Sequence, residues 1–231
     1  MKKTDLEIID TKQDIYDSFN SFIMSEDIKI FGKLLARQEI FNKVKKIPGD
    51  IVECGVFKGS GIYSFLKLKR YLCPNTYKKV IGFDMFNSKE LVESLNQIDK
   101  QSMSSLFEFR NFEHNDKFKH YLETKIKSHG FLDHEFELIE GDISVTSKQY
   151  IDENPGFRIS LLYMDLDLSL PSLYTLENFW DRLSKGGIVV FDEYAYGKWS
   201  ESCGVDEFFA DKNVQIISMD YICPTAYVIK D

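Results

Sequence analysis

Four acids follow two hydrophobic runs of the chain, and they are the residues best suited to chemistry. Asp165 and Asp167 follow the first run, and Asp192 and Glu193 follow the second. Residues two apart in extended backbone point the same way, so Asp165 and Asp167 can face one crevice. If the two runs are neighbouring strands, the carboxylates converge and, without a partner, raise one another's pKa values. A hard divalent cation relieves this repulsion, and an all-oxygen site suits Mg²⁺, with Mn²⁺ or Ca²⁺ as alternatives; helix capping by solvated loop acids is the other interpretation.

A glycine-rich turn is the second feature that points to a ligand. It reads Glu53-Cys54-Gly55-Val56-Phe57-Lys58-Gly59-Ser60-Gly61. Glycines let the backbone turn tightly and approach a ligand closely, although a tight turn without a ligand is the alternative. The spacing is not the Gly-x-Gly-x-x-Gly of dinucleotide sites, and the acid Glu53 suits a cofactor that carries an ammonium or sulfonium group. Asp84 ends the next hydrophobic run, where an acid can take ribose hydroxyls.

Five short hydrophobic runs alternate with helical stretches and must position these residues. The runs cover residues 50–54, 80–84, 135–140, 159–165 and 188–192, with two later strands near 214–219 and 226–229. This alternation predicts an α/β fold with a mostly parallel sheet and helices on both faces. Ligands bind beyond the carboxyl ends of the strands in such a sheet, so the acids and the glycine turn share one edge.

Two further segments are predicted to be helical. Apolar residues three and four apart predict helix over residues 12–46, and Pro48-Gly49 ends the pattern. Residues 86–130 are too long for a simple connection, which predicts a helical insertion or lid over the sheet. We expect one domain over residues 1–231, with an N-terminal helical cap over 1–48. The four histidines in or beside the insertion are interpreted as surface residues rather than catalytic ones: His114, His120, His129 and His134.

Composition excludes several classes of protein. The 231 residues include 29 Lys and Arg against 37 Asp and Glu, a net charge of -8, and the basic clusters are short, so nucleic acid is not expected as a partner. No apolar run approaches the ~20 residues of a membrane helix, and no secretory signal is recognisable. The four cysteines form no Cys-x-x-Cys pair, which favours free thiols. We expect a cytoplasmic protein with no membrane partner.

Taken together, the motifs resemble the macrocin O-methyltransferase (TylF-like) family. The similarity covers about residues 30–230, and the order and spacing of four motifs agree: residues 49–59, Asp84, residues 164–167 and residues 186–194. The resemblance implies a Rossmann-like class I methyltransferase sheet, mostly parallel with a last antiparallel strand. It also implies an enzyme that methylates sugar hydroxyls with S-adenosylmethionine and Mg²⁺.

The resemblance also implies roles for individual residues. It makes Asp165, Asp192 and Glu193 metal ligands and Asp167 the general base. The implied cofactor-binding residues are Glu53, Cys54, Gly55, Gly59, Ser60, Asp84, Met85, Asp142, Ile143 and Asp165. The sequence departs from the family pattern at two places. The family usually has a Tyr shortly after its Asp-x-Asp, but this chain has Leu168-Ser169-Leu170, which concerns the acceptor pocket. The family often has a second Asp where this chain has Glu193, which concerns the metal.

Several alternatives stay open at this point. The resemblance implies a vicinal diol as the acceptor, most simply a sugar (a nucleotide sugar, a glycan or a glycosylated metabolite), with a catechol-type small molecule as the runner-up. A nicotinamide-dependent sugar oxidoreductase is a different class, although its Tyr-x-x-x-Lys spacing occurs only at Tyr63 to Lys67, on the first helix after the turn. An inactive cofactor-binding scaffold is a third. A homodimer or higher homo-oligomer is compatible with the family and with the aromatic-rich N-terminus.

Overall fold

A seven-stranded sheet forms the centre of the computed structural model, which describes residues 12–112, 114, 115 and 117–231. Its strands are β1 (Asp50–Cys54), β2 (Val80–Asp84), β3 (Phe136–Glu140), β4 (Ile159–Met164), β5 (Leu183–Phe191), β6 (Ile217–Ser218) and β7 (Ala226–Ile229). They lie in the order β3-β2-β1-β4-β5-β7-β6. The first five are parallel, and β7 runs antiparallel to β5 and β6. The predicted sheet, mostly parallel with an antiparallel end, is confirmed.

Helices cover both faces of this sheet. They are α1 (Lys12–Ile23), α2 (Ile28–Val44), α3 (Ser60–Leu72), α4 (Ser88–Ser94), α5 (Gln97–Arg110), α6 (Phe118–Ser128), α7 (Ile143–Glu153), α8 (Ser169–Phe179) and α9 (Glu201–Phe209), with a 3₁₀ turn at Trp180–Arg182. Among the residues that the structure describes, no helix combines the length and the apolar character that a membrane span requires.

Alternate residues of the central strands face two hydrophobic cores, one on each side of the sheet. Ile51 packs with α2 and α3 in the first core, and its neighbour Val52 packs with α7, α8 and α9 in the second. Both side chains are fully buried. Because these strands are buried on both sides, apolar residues predominate on both faces, and Glu53 of β1 and Ser160 of β4 are buried polar exceptions.

The strand order reverses between β1 and β4, which places the ends of three strands side by side. In register, these ends are Cys54, Met164 and Phe191. Each is followed directly by a residue that the sequence singles out: Gly55, Asp165 and Asp192. β4 and β5 are therefore neighbouring strands, as convergence of the acids requires. Their ends lie beside the topological switch point, where ligands bind in such sheets.

The N-terminal helical prediction is interrupted in the structure. The chain leaves helix after Ile23 and begins α2 at Ile28, because Asp27 caps α2 by accepting a hydrogen bond from the backbone N–H of Ile30 at 2.8 Å. Residues 1–11 of the predicted 1–48 cap lie outside the described residues.

The segment between β2 and β3 forms α4, α5 and α6, as the helical insertion predicts. Met103 and Phe107 of α5 pack in a small cluster with Leu168, which follows β4, and with Phe57 of the glycine-rich turn. These contacts place the insertion over the carboxyl ends of β1 and β4. Its function as a lid and the single-domain organisation stay predictions.

Candidate active site

A cavity of about 720 Å³ lies over the carboxyl ends of the parallel strands. The predicted site residues that line it are Gly55, Ser60, Asp84, Met85, Asp142, Ile143, Asp165, Asp167, Asp192 and Glu193. Three others lie beside it but do not line it: Glu53, Cys54 and Gly59. The structure therefore brings the glycine turn and both acid pairs to one space, although residue pairs such as Ser60 and Glu193 are far apart in the chain.

Asp192 is the most heavily bonded acid of the site. Its Oδ1 accepts from the Tyr163 hydroxyl at 2.6 Å, and its Oδ2 accepts from Lys33 Nζ at 2.8 Å and from the Cys223 thiol at 2.7 Å. Burial would raise the pKa of Asp192, but Lys33 and these hydrogen bonds outweigh burial and hold the pKa below its usual value. Asp192 is therefore an ionised, buried carboxylate.

The other pair of acids shows the repulsion expected from the sequence. Burial and the charge of Asp192 raise the pKa of Asp165, and burial and the charge of Asp165 raise that of Asp167 further above its usual range. Both acids line the cavity, but the backbone is not extended as the sequence argument assumed, because Asp167 has a φ of 62° in the left-handed region. Asp tolerates this conformation better than most residues do.

Glu193 is supported by a carboxyl group that the sequence analysis missed. Its backbone N–H donates to Glu201 Oε1 at 3.1 Å, and its own Oε1 accepts from Lys29 Nζ at 3.2 Å. Glu201 is fully buried, and burial raises its pKa well above the usual value. Nothing in the local sequence distinguishes Glu201 from an ordinary acid in the first turn of a helix.

Three cations of α2 face these acids in a row. Lys29, Lys33 and Arg37 follow one another at four-residue spacing, which places them on one face of the helix. Lys29 pairs with Glu193, Lys33 with both Asp165 (2.7 Å) and Asp192 (2.8 Å), and Arg37 Nη2 lies 3.7 Å from Glu53 Oε1. This four-residue spacing is the only sign in the sequence that the three cations share one face of α2.

Asp84 holds the glycine-rich turn. Its Oδ2 accepts from the backbone N–H groups of Val56 and Phe57 at 2.8 and 3.0 Å, and its Oδ1 accepts from that of Phe86 at 2.8 Å. Gly55 in this turn has a φ of 89°, and a Cβ there would lie 1.9 Å from the backbone oxygen of Asp165. The turn thus needs glycine for both its conformation and its approach to β4.

Glu53 lies beneath the start of α3 instead of facing the cavity. A Cβ on Gly61 would lie 1.5 Å from Glu53 Oε1, so the absence of a side chain at Gly61 makes room for this carboxyl group. Glu53 Oε2 is buried without a hydrogen-bond partner among the described residues. Any contact of Cys54 with a ligand would come from its backbone, since its side chain is fully buried in the core.

The interpretation of the histidines as surface residues is wrong for one of them. His114 is buried, and its Nε2 lies 2.7 Å from the backbone oxygen of Phe57 in the glycine-rich turn. Its ring packs among the insertion's aromatic side chains, including Phe112 and Phe118.

Asp142 serves as the N-cap of α7, since its Oδ1 accepts from the backbone N–H of Ser144, and it lines the cavity as well.

The donor atoms available to a metal ion are close together. Ligand atoms of Asp192, Glu193 and Cys223 lie within 4.8 Å of one another. Carboxylate oxygens suit a hard cation such as Mg²⁺, whereas a thiol does not. The Cys223 thiol is already used as a donor to Asp192. The carboxylates of Asp192 and Glu193 therefore suit Mg²⁺; Asp165 is not one of the three clustered residues, but it shares Lys33 with Asp192.

Stability is expected to fall as the pH rises from about 5 to about 8, in part because of Glu53. Burial raises the pKa of Glu53 from 4.5 to about 8 against the opposing charge of Arg37. Between these values the folded protein holds a proton that the unfolded chain has released, so a rise in pH favours unfolding. One such proton contributes at most about 1.4 kcal/mol per pH unit to the free energy of unfolding.

Urea unfolding of Glu53→Gln across this pH range measures the contribution. The free-energy difference between the variant and the wild type should shift in favour of Glu53→Gln as the pH rises. Glu177→Gln, which changes an exposed glutamate of α8, is the matched control and should follow the wild type. Parallel pH curves for Glu53→Gln and the wild type would contradict the buried, protonated Glu53.

Comparisons with known proteins agree with this geometry. A profile of the macrocin-O-methyltransferase (TylF) family matches residues 33–226. An 8-demethyl-8-(2,3-dimethoxy-alpha-L-rhamnosyl)-tetracenomycin-C 4'-O-methyltransferase from Streptomyces olivaceus is 30% identical over 152 residues, which are 64% of this chain and 54% of the relative. The match thus spans about half the length of that relative.

Solved structures show the same fold. The crystal structure of CalS11, a calicheamicin methyltransferase, has a TM-score of 0.77 at 23% identity and covers 99% of this chain and 94% of its own. The apo structure of CalS11, described as a TDP-rhamnose 3'-O-methyltransferase, has a TM-score of 0.75 at 24% identity, with 95% and 87% covered. At these identities the likeness establishes a Rossmann-like methyltransferase fold.

Proposed function

The chain belongs to the macrocin-O-methyltransferase family, and from that premise we propose that it transfers a methyl group from S-adenosylmethionine to a hydroxyl group of a sugar. One cavity supports this function above all, because the glycine-rich turn after β1 and the acids after β4 and β5 open into it together. A cofactor on the turn and an acceptor at the acids would then be neighbours, which direct transfer between them requires.

The cofactor side of the cavity is proposed to extend from the glycine-rich turn to the start of α7. Gly55 and Ser60 line one end and Asp142 and Ile143 the other, with Met85 between them. Glu53, Cys54 and Gly59 would act by shaping the turn, since they do not line the cavity. The carboxyl groups of Asp84 and Asp165, which line the cavity beside the turn, suit the positive charges of S-adenosylmethionine.

Asp84 retains the capacity to bind a ribose hydroxyl. A carboxylate offers about four acceptor positions, and three backbone N–H groups use three of them here. His114 Nδ1 lies 3.7 Å from Oδ1, too far for a hydrogen bond, so one position is left for a hydroxyl donor at the cavity wall. Asp84 would then fix the turn and the cofactor with the same side chain.

We propose that Asp165, Asp192 and Glu193 hold a divalent cation, most simply Mg²⁺. Their oxygens form a hard, anionic donor set, and the pKa of Asp192 is held low, so this ligand is ionised at neutral pH. A bound cation would lower the pKa of an acceptor hydroxyl, as it does for bound water. Two adjacent hydroxyls suit such a site better than one, which favours a vicinal diol.

Asp167 is proposed as the general base. Burial and the neighbouring carboxylates raise its pKa well above the usual range, which makes Asp167 a stronger base than an exposed carboxylate. Its carboxylate accepts the proton of the acceptor hydroxyl as the oxygen forms its bond to the methyl carbon. The bond between that carbon and the sulfur breaks, and the electron pair stays on sulfur.

The acceptor side of the cavity suits a sugar. Tyr196 and Trp199, from the segment after β5, line it together with Ile30 and Leu34 of α2. Flat aromatic faces beside a few placed polar groups are typical of sites that bind small organic molecules. We propose a sugar acceptor, such as a deoxysugar carried by a nucleotide or a metabolite, with a catechol-type diol as the alternative.

Ligand-dependent thermal unfolding tests the cofactor assignment. At about 100 times its dissociation constant a ligand adds about 2.7 kcal/mol, so S-adenosylhomocysteine should raise the midpoint by roughly 5–10 °C for a chain of this size. NAD⁺ under the same conditions is the control and should leave the midpoint unchanged. A rise with NAD⁺ in place of S-adenosylhomocysteine would favour the oxidoreductase alternative.

The homo-oligomer stays a prediction. Ile15, Tyr16 and Phe19 of α1 are more than half exposed, which is compatible with a second copy covering this helix. Light scattering coupled to size exclusion measures the mass in solution.

A further inference from the structure

The Lys33 ammonium lies where the two central acids need a cation. Its Nζ is 2.7 Å from Asp165 Oδ2 and 2.8 Å from Asp192 Oδ2, so one charged group bridges two carboxylates from neighbouring strands. About a fifth of the Lys33 side chain is exposed, and Asp192 is almost completely buried. The contact is therefore an internal bridge and not a surface ion pair.

A metal ion and the Lys33 ammonium cannot bind this pair of oxygens together. Mg²⁺ lies about 2.1 Å from its oxygen ligands, and Lys33 Nζ already lies within hydrogen-bond distance of the same two oxygens. The two cations would also repel each other at short range. Binding of a metal by this pair of oxygens therefore requires Lys33 to withdraw.

A lysine side chain can withdraw its charge from the two carboxylates more easily than an arginine can. Its charge lies at the end of four methylene groups, so the ammonium can turn toward the cavity without a break in the helix. Lys33 itself lines the cavity, which gives the ammonium an open direction. The neighbouring Arg37 is more buried and is fixed beside Glu53 and over the ring of Tyr163.

We propose that Lys33 is a built-in cation that joins Asp165 and Asp192 in the metal-free protein and competes with a divalent metal ion for the same oxygens. This inference rests on the proposed metal-assisted function. It makes Lys33 a positioning residue, which holds the two carboxylates close together before the metal binds. Metal affinity is then set partly by a residue of the N-terminal helix that is not a ligand.

Mn²⁺ binding by four proteins tests the competition: the wild type, Lys33→Met, Lys33→Arg and Lys43→Met. The electron paramagnetic resonance signal of free Mn²⁺ gives the dissociation constant, and thermal unfolding is followed with EDTA and with Mn²⁺. Lys33→Met should bind Mn²⁺ at least about tenfold more tightly than the wild type, which corresponds to about 1.4 kcal/mol. Its unfolding midpoint should fall in EDTA and rise with Mn²⁺ by more than that of the wild type.

Two variants separate competition from a general effect of charge. Lys33→Arg keeps a cation at the bridge and should bind Mn²⁺ no more tightly than the wild type. Lys43 lies on the same helix but pairs with Glu39 away from the cavity, so Lys43→Met should behave as the wild type. If Lys33→Met folds only with Mn²⁺, the metal replaces the lysine as proposed; if Mn²⁺ does not restore its fold, the proposal is wrong.

Failure of this inference is distinguishable from failure of the proposed function. Equal or weaker Mn²⁺ binding by Lys33→Met, with clear binding by the wild type, overturns the competition and leaves the metal-assisted reaction in place. Equal tightening in Lys33→Arg or Lys43→Met also overturns it. If none of the four proteins binds Mn²⁺ while S-adenosylhomocysteine still stabilises the wild type, the proposed competition and the proposed metal site are both wrong. The methyltransferase assignment is then unaffected.

Discussion

Asp167→Asn is expected to lower kcat for methyl transfer by about 10²–10⁴-fold, the usual contribution of a positioned general base. The change removes the group that accepts the proton and adds no bulk. Asn also tolerates the left-handed backbone of this position, where φ is 62°. The Asp167 carbonyl would still accept from the Ser200 N–H, which lies 3.1 Å away. A loss of rate would therefore come from the missing base and not from a rearranged loop.

Initial rates of S-adenosylhomocysteine release, followed as a function of pH, measure this effect. In the wild type, kcat should rise with pH through the raised pKa of Asp167, and Asp167→Asn should lose that dependence while binding S-adenosylhomocysteine as before. Asp206→Asn is the matched control, because Asp206 is an exposed acid of α9 bonded to the Tyr194 hydroxyl. Activity of Asp167→Asn within a few-fold of that control would rule out Asp167 as the base.

The sequence predicts the edge of the sheet at which the site lies, because that placement follows from strand order alone. Each parallel strand is a short apolar run with a recognisable end, and the acids and glycines that follow β1, β4 and β5 can be located by counting. Once the runs are assigned to one parallel sheet, their carboxyl ends must share an edge. Asp84, Asp165 and Asp192 reach the cavity for this reason.

The partners of those acids could not be predicted in the same way. Lys33 is 132 residues from Asp165 and 159 from Asp192 in the chain, and no local pattern encodes contacts over such a separation. Cys223, between β6 and β7, and Glu201, in α9, reach the acids only through tertiary packing. The sequence predicts repulsion among four carboxylates, whereas the structure shows that α2 supplies the cations that relieve part of it.

Local hydrogen bonds account for two smaller differences between prediction and structure. The apolar periodicity continues through residues 24–27, but the side chain of Asp27 caps a new helix there, and caps override periodicity. His114 resembles a surface residue because its neighbours in sequence are polar. Its burial comes from tertiary contacts with Phe57 of the glycine-rich turn and Phe118 of α6, which form only in the folded protein.

Gly55→Ala is expected to lower the free energy of unfolding by more than about 4 kcal/mol and to abolish binding of S-adenosylhomocysteine. Left-handed backbone at an alanine costs about 1–2 kcal/mol. The larger penalty comes from the new Cβ, which would lie 1.9 Å from the Asp165 backbone oxygen and 2.8 Å from its carbonyl carbon. No side-chain rotation relieves an overlap with backbone, so β1 and β4 must separate where Gly55 and Asp165 meet.

Such a separation disturbs both the cofactor turn and the acids. The Asp165 N–H donates to the Cys54 carbonyl at 2.8 Å, and the Gly55 N–H donates to the Phe83 carbonyl at 2.9 Å, so these backbone contacts would be strained together. Urea unfolding and calorimetric titration with S-adenosylhomocysteine measure the two effects. Gly156→Ala is the matched control, since a Cβ there meets no atom within 4 Å. If Gly55→Ala unfolds at the same urea concentration as Gly156→Ala and still binds the ligand, the tight approach of the turn to β4 does not exist in solution. If it is destabilised but binds normally, the turn supports the sheet without holding the cofactor.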